Sequence, residues 1–269
     1  MPNPVKIMPL NEHGRDFIVG DIHGAYDLLD EGLRQVDFDE ARDRLFSVGD
    51  LIDRGTRSSD CIQYLEKPWF HATQGNHEDL FLGIFTEAGE MDYEELMEQF
   101  RNGMDWVMGI PRDRVDAIRR AFLELPIAIE IPTKRGTVGI VHAEIPSEMN
   151  WSTFKHALET GNKQVIHTAL WGRNRINYRD INGVQGVDRV FHGHTPQYRG
   201  TLRLGNCYYI DTGAVFREIK ANEDMGLTFA NMNVGTDRLT EGSAQDLRQP
   251  VRTLPEAVEI PFGHYTPGI

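Results

Sequence analysis

Short apolar runs ending in a glycine and a polar side chain recur through the first third of the chain. Asp16-Phe17-Ile18-Val19 rises into Gly20-Asp21, Asp43-Arg44-Leu45-Phe46-Ser47-Val48 into Gly49-Asp50, and Phe70-His71-Ala72-Thr73 precedes Gly75-Asn76. With little alternation of apolar and polar positions, each run predicts a short strand buried on both faces. Between the first two, Ala25 to Val36 places Leu28, Leu29, Leu33 and Val36 at helical spacing, and Ser58 to Leu65 repeats the cycle. The pattern predicts βαβ units whose polar loops sit at the carboxyl ends of parallel strands, where ligands collect in open α/β sheets.

From Glu78 to about Leu125 the pattern becomes helical and acidic, most clearly in Glu94 to Phe100 and Arg114 to Phe122, which predicts a helical insertion over about 79–125. Strand composition returns in Ile127 to Ile131 and in Thr137 to Val141, the latter leading into His142-Ala143-Glu144. Asp188 to Phe191 leads likewise into His192-Gly193-His194-Thr195-Pro196, and Leu202 to Leu204, Cys207 to Ile210, Ala214 to Ile219 and Gly226 to Met232 read as closing strands. After Asn233 the chain turns polar and then proline-bearing, so residues 1–232 are expected to form one catalytic domain and 233–269 a tail or strap across it.

Composition narrows the setting. The 269 residues are 40% hydrophobic, enough for a sizeable core, and carry a net charge of −13. That charge disfavours sequence-independent binding to nucleic acid or to an anionic membrane. The opening Met1 to Lys6 has no apolar signal-peptide region, and no window approaches the roughly 18 apolar residues of a membrane span. Cys61 and Cys207 match no Cys-x-x-Cys spacing, so neither a redox pair nor a thiolate zinc site is indicated. A cytoplasmic protein is expected.

The chemistry is concentrated in three runs about 25 to 30 residues apart: Gly20-Asp21-Ile22-His23-Gly24, Gly49-Asp50-Leu51-Ile52-Asp53-Arg54-Gly55 and Gly75-Asn76-His77-Glu78. Each one alone is compatible with a turn, or with a capped turn before a helix. Together they place carboxylate, imidazole and amide ligands beside flexible backbone three times in order. That pattern suits hydrolysis of a phosphate ester, which needs a nucleophile at neutral pH and a way to spread charge on the phosphoryl group. Two divalent ions about 3.5 to 4 Å apart provide both.

These runs resemble the bacterial and phage branch of the phosphoprotein phosphatases within the calcineurin-like metallophosphoesterases. Further runs support the likeness: Trp171-Gly172-Arg173-Asn174-Arg175-Ile176, Gly193-His194-Thr195-Pro196 and Tyr209-Ile210-Asp211-Thr212-Gly213-Ala214-Val215-Phe216. The resemblance implies an α/β fold, a β-sandwich flanked by helices with the metal loops on βαβ units. It implies Asp21, His23, Asp50, Asn76, His142 and His194 as metal ligands, with Asp50 bridging. It implies His77 as the acid that protonates the leaving alkoxide, Asp53 as its carboxylate partner, and Arg54 and Arg173, with Asn76, as phosphate contacts. Gln74 stands where the nearest family branch carries an arginine, which removes one positive charge from the substrate side.

Plainer readings cover the remaining residues. His192, two residues before His194, could serve as a seventh ligand, but it falls before the glycine of its run and reads first as a strand-end residue; Asp211, with no second matching aspartate loop, reads as a strand-end turn. His13, His71, His156, His167 and His264 have no motif around them, and Trp106, Trp151 and Trp171 read as packing residues, Trp171 with a second role in placing the Arg173 loop. The acidic stretch Glu87 to Glu98 suits either a basic peptide or a solvated helix face, and the solvated face is the commoner arrangement.

The expected function is a metal-dependent phosphatase of phosphoserine and phosphothreonine proteins, acting by in-line attack of a metal-bound hydroxide. Its ligand set suits Mn²⁺, with Fe, Zn²⁺ or Co²⁺ as alternatives. Its partners are phosphorylated proteins or peptides, or small phosphoesters. Symmetrical bis(5'-nucleosyl)-tetraphosphate hydrolysis is the rival activity, and an inactive scaffold is the rival of another class.

Overall fold

The computed structural model describes residues 3–220, 225–233 and 251–254. The elements in chain order are β1 (Val5–Ile7), β2 (Asp16–Val19), α1 (Tyr26–Gln35), β3 (Arg44–Ser47), α2 (Cys61–Leu65), β4 (Phe70–Ala72), α3 (Asn76–Gly83), α4 (Tyr93–Glu98) and α5 (Arg112–Leu123). There follow β5 (Ala128–Thr133), β6 (Gly136–Val141), α6 (Trp151–Glu159), α7 (Lys163–Trp171), α8 (Asn174–Tyr178), β7 (Arg189–His192), β8 (Leu202–Leu204), β9 (Cys207–Tyr209), α9 (Ala214–Lys220), β10 (Leu227–Asn231) and β11 (Val251–Leu254).

Two sheets result. One runs β1-β5-β6-β7-β9-β8 and the other β11-β10-β2-β3-β4. β2, β3 and β4 are mutually parallel, as are β6, β7 and β9, so the loops after each triplet leave the sheet at the same end. This is why the Gly-Asp, Gly-Asp and Gly-Asn runs meet one another, and why His142 and His194 arrive beside them.

The apolar runs show no alternation because both strand faces are covered. Phe17 and Val19 pack under the helices with Leu29, Phe81 and Phe122, whereas Ile18 between them points into the layer shared by the two sheets. Val190 and Phe191 divide the same way, as do Cys207 and Tyr208. Successive side chains of a strand project to opposite faces, so a sheet with an apolar layer on each side needs apolar residues at every position. The inter-sheet layer includes Phe46, Ile129, Ile131, Ile140 and Ile210. A sandwich flanked by helices is the observed architecture.

One expected strand is a helix. Ala214 to Ile219 forms most of α9 instead. The Phe216 amide donates to the Gly213 carbonyl at 3.0 Å and turns the chain immediately after β9, and Val215 and Ile219 are four apart, a spacing that serves a helix as well as a strand. β1, α6 and α7 form where no element was expected. The expected tail lies mostly outside the described residues; within it, Val251–Leu254 pairs in parallel with β10. Among the described residues no helix is long and apolar enough to cross a membrane.

Candidate metal centre and active site

Backbone conformation sets the side chains. Seven non-glycine residues among those described adopt positive φ, and five of them are His23, Asp50, Asp53, Arg54 and His194. Left-handed backbone is costly for such residues and persists where surrounding structure enforces it. Two glycines show how tight that enforcement is. A Cβ on Gly75 would lie 2.2 Å from Asp50 Oδ1, and one on Gly193 would lie 1.8 Å from Asp21 Oδ1. The motif glycines therefore leave room for carboxylates against the neighbouring loop.

Glu78 ties two of these loops together. Its carboxylate accepts the backbone N–H of Asp50 at 2.9 Å, of Leu51 at 2.8 Å and of Gly75 at 2.8 Å, and the side chain is fully buried. The Gly75 contact closes a capping box at the start of α3, and the other two pin the Asp50 loop to that helix end.

Asp50 stands at the centre. Its Oδ2 lies 3.4 Å from His23 Nε2 and its Oδ1 lies 3.4 Å from His142 Nε2. Two clusters, His23–Asp50–His77 and Asp50–His142–His194, each hold their donor atoms within 4.8 Å of one another and share this carboxylate. Asn76 Oδ1 lies 2.9 Å from His142 Nε2 and 2.7 Å from His194 Nδ1, joining the second cluster. Asp21 accepts the His194 amide through Oδ2 at 2.9 Å and leaves its buried Oδ1 without a partner, as His194 Nε2 is also left.

The neighbouring side chains form a second constellation. His77 Nδ1 meets Asp53 Oδ2 at 2.7 Å, and the Trp106 indole donates to Asp53 Oδ1 at 2.7 Å. The Arg54 guanidinium lies 2.8 Å from His23 Nε2 and 2.9 Å from His77 Nε2. Arg173 stands exposed at the start of α8, near enough for its charge to act on His142 and His194. Glu144 places that segment by accepting the Arg175 amide at 2.8 Å, while the Arg175 side chain is buried and paired with Asp180.

The donor set fits a pair of divalent ions. Asp50 belongs to both clusters, and the buried Asp21 Oδ1 and His194 Nε2, which have no hydrogen-bond partner, are donor atoms of the kind a cation engages. A model of the calcineurin-like phosphoesterase family matches residues 17–212. The chain belongs to that family. It is 37% identical over 205 residues to serine/threonine-protein phosphatase 1 of Salmonella typhimurium, covering 74% of this chain and 87% of that protein. It is 41% identical over 145 residues to the symmetrical bis(5'-nucleosyl)-tetraphosphatase of Actinobacillus pleuropneumoniae, covering 50% of this chain and 46% of that protein. The crystal structure of a candidate diadenosine tetraphosphatase shares the fold with a TM-score of 0.55 and 21% identity, over 85% of this chain and 93% of the other.

Electrostatics in this phosphoesterase separate the imidazoles by task. His23 donates Nδ1–H to the Ile52 carbonyl at 2.8 Å and His142 to the Val48 carbonyl at 2.9 Å, which turns each Nε2 lone pair into the site. Burial lowers the pKa of His23 and His142 and takes His194 to about 3, so all three hold the neutral form that metals require. Burial would lower His77 too, but the charge of Asp50 and the hydrogen bond from Asp53 outweigh it and raise His77. Asp50 is held below the usual carboxylate range: burial opposes ionisation, and positive charge on the neighbouring imidazoles, of which His77 is the one raised, overcomes it.

The sequence-predicted residues Asp21, His23, Asp50, Asp53, Arg54, Asn76, His77, His142 and His194 all meet here, with Arg173 at the rim. Trp106 packs as expected, stacked on Phe81, but its bond to Asp53 was not anticipated. Glu78 was part of a quoted run without an assigned role. Asp211 is buried beside Asp21, and burial raises it to about 7. The order of residues along the chain carried no signal for the Trp106 or Asp211 contacts; for Glu78 the capping-box spacing did. His192 lies at the end of β7, with Nδ1 2.8 Å from the Val141 carbonyl, in agreement with the strand-end reading.

Proposed function

We propose that this phosphoesterase hydrolyses phosphoserine and phosphothreonine in proteins, using two divalent ions. The observation that carries the reading is Asp50, shared between two ligand clusters, with the His77–Asp53–Arg54 group beside it. Asp21, His23 and Asp50 would hold one ion, and Asp50, Asn76, His142 and His194 the other. When bound, the ions supply a nucleophile at neutral pH and neutralise charge on the transferring phosphoryl group. Oxygen and imidazole donors without a thiolate suit Mn²⁺, and Fe, Zn²⁺ and Co²⁺ share that preference.

The chain's own groups do the rest. His77, protonated under the influence of Asp53 and Asp50, holds a proton at Nε2 for the departing serine or threonine oxygen. Arg54 and Arg173 clamp phosphoryl oxygens in forked geometry, with Asn76 as a further contact. Residues 1–232 form the catalytic unit with 79–125 as its helical insertion, and 233–269 a strap, a reading supported by the pairing of Val251–Leu254 with β10. Free, buried Cys61 and Cys207 suit the reducing cytoplasm, where we place the enzyme.

The relative with tetraphosphatase activity in its name supplies the second reading. Phosphopeptides assayed against diadenosine tetraphosphate with Mn²⁺ decide between them. We expect a phosphopeptide preference of ~100-fold in kcat/KM, about 2.7 kcal/mol in the barrier; an equal preference for the tetraphosphate would transfer the assignment. An inactive scaffold is disfavoured because the six proposed ligands and His77 lie together around Asp50.

A further inference from the structure

The segment that leads to Trp106 presents an apolar stripe to solvent. Tyr93, Met97 and Phe100 are 56%, 60% and 39% exposed, and Met108, beyond the same turn, is 60% exposed. The first three are four and then three positions apart, which puts them on one face of α4 and the short 3₁₀ turn after it, while Leu96 and Gln99 face inward. Four of the eleven large hydrophobics exposed among the described residues thus fall within 93–108. A concentration of this kind on an otherwise polar surface marks an interaction site.

This face is joined to the phosphate clamp. The Gly103 carbonyl accepts the Arg54 backbone N–H at 3.1 Å, and a Cβ on Gly103 would lie 3.0 Å from Arg54 Cγ. Trp106 reaches Asp53 from the same turn. The stripe therefore starts three residues from a group packed on Arg54 and runs back along α4. Ten helical residues from Gly103 to Tyr93 span about 15 Å, the reach of roughly four or five extended residues of a bound peptide.

Charge identifies the occupant. The twelve residues Glu87 to Glu98 contain six acidic side chains and no Lys or Arg. Glu94 and Glu98 flank the stripe exposed and form no ion pair among the described residues. A polyphosphate would be repelled here, and an apolar segment with arginines or lysines would be attracted.

Resting on the phosphatase reading, we propose that this face docks the segment flanking the phosphorylated residue, and that it selects substrates with basic and apolar side chains within about five positions of the phosphate. The test measures three substrates with the manganese-loaded enzyme: p-nitrophenyl phosphate, a phosphothreonine peptide with Arg and Leu flanks, and the same peptide with Glu and Ser flanks. The wild type is expected to prefer the basic-apolar peptide by at least tenfold in kcat/KM. Tyr93→Ala combined with Met97→Ala and Phe100→Ala is expected to raise KM for that peptide about tenfold, leaving its kcat and p-nitrophenyl phosphate turnover unchanged. Glu94→Lys with Glu98→Lys is expected to shift the preference toward the acidic peptide.

Equal turnover of both peptides, or a KM indifferent to these variants, overturns the docking proposal and leaves the phosphatase reading standing. Turnover of p-nitrophenyl phosphate without either peptide overturns both. A change in oligomeric state of the triple variant with unchanged peptide kinetics would assign the face to a second copy of the chain and likewise overturn the proposal.

Discussion

His77 and Asp53 meet through Nδ1 and Oδ2 at 2.7 Å, and both side chains are almost wholly shut off from solvent. The carboxylate holds the ring in one tautomer and stabilises its protonated form, which distinguishes this histidine from the three neutral ones nearby. An acid with a raised pKa keeps its proton to higher pH, so kcat should fall on the alkaline side as His77 loses it. Asp53→Asn removes the raising influence. The alkaline limb should then move to lower pH by about one to two units, with activity at the acid end less affected, and a pH profile of kcat for the two proteins reads the shift.

Glu78 would act on bound metals through the backbone it holds. With three N–H groups converging on one buried carboxylate, Glu78→Ala leaves those donors unpaired and should cost roughly 2–4 kcal/mol in stability. The Asp50 loop loses its anchor at the same time. Calorimetric titration with Mn²⁺ should show weaker binding by about tenfold, although Glu78 belongs to neither donor cluster; unchanged affinity would reduce Glu78 to a helix cap.

Asp21 and Asp211 are two buried carboxylates, and the charge of Asp211 opposes ionisation of Asp21. Burial raises both, Asp211 to about 7, with the charge of Asp211 as a further cause at Asp21. A carboxyl whose folded pKa exceeds its unfolded value costs stability as pH rises from the unfolded value, near 4, through the folded one. The metal-free protein should therefore weaken between about pH 4 and 7, and Asp211→Asn should stabilise it at pH 8 by roughly 2 kcal/mol while making no difference at pH 3.5. Thermal melts with chelator present at the two pH values measure this.

Arg54 donates to the lone pair of His23 Nε2, which a metal would need, and its guanidinium also lies 2.9 Å from His77 Nε2. One lone pair cannot serve both. Arg54→Ala removes the competitor, so Mn²⁺ affinity should be equal or tighter, whereas inhibition by inorganic phosphate should weaken about tenfold or more, corresponding to loss of one charge-assisted contact. Parallel loss of metal and phosphate binding would contradict the assignment of Arg54 to the phosphate.

Much of the site was legible in sequence because its candidate ligands sit on motif loops that follow apolar strands directly. Asp21, His23, Asp50 and Asn76 are placed by local backbone, glycine spacing and strand ends, and those are local facts. Trp106 was illegible as a site residue for the opposite reason. Its bond to Asp53 crosses 53 positions and exists only once α3, α5 and the turn between them have packed. The helix α9 was misjudged because a short apolar run with β-branched residues satisfies both periods, and the deciding feature is the turn at Gly213. α6 and α7 begin at Asn150 and Asn162, whose side chains cap them, a local signal that the chain itself carries.

The central claim is that Asp50 joins two metal ions. Anomalous diffraction at the manganese edge from crystals of the loaded enzyme tests it most directly. We expect two peaks about 3.5–4 Å apart with Asp50 reaching both, and loss of at least one peak together with phosphatase activity in Asp50→Asn. A single ion, or two ions neither of which touches Asp50, would contradict the account.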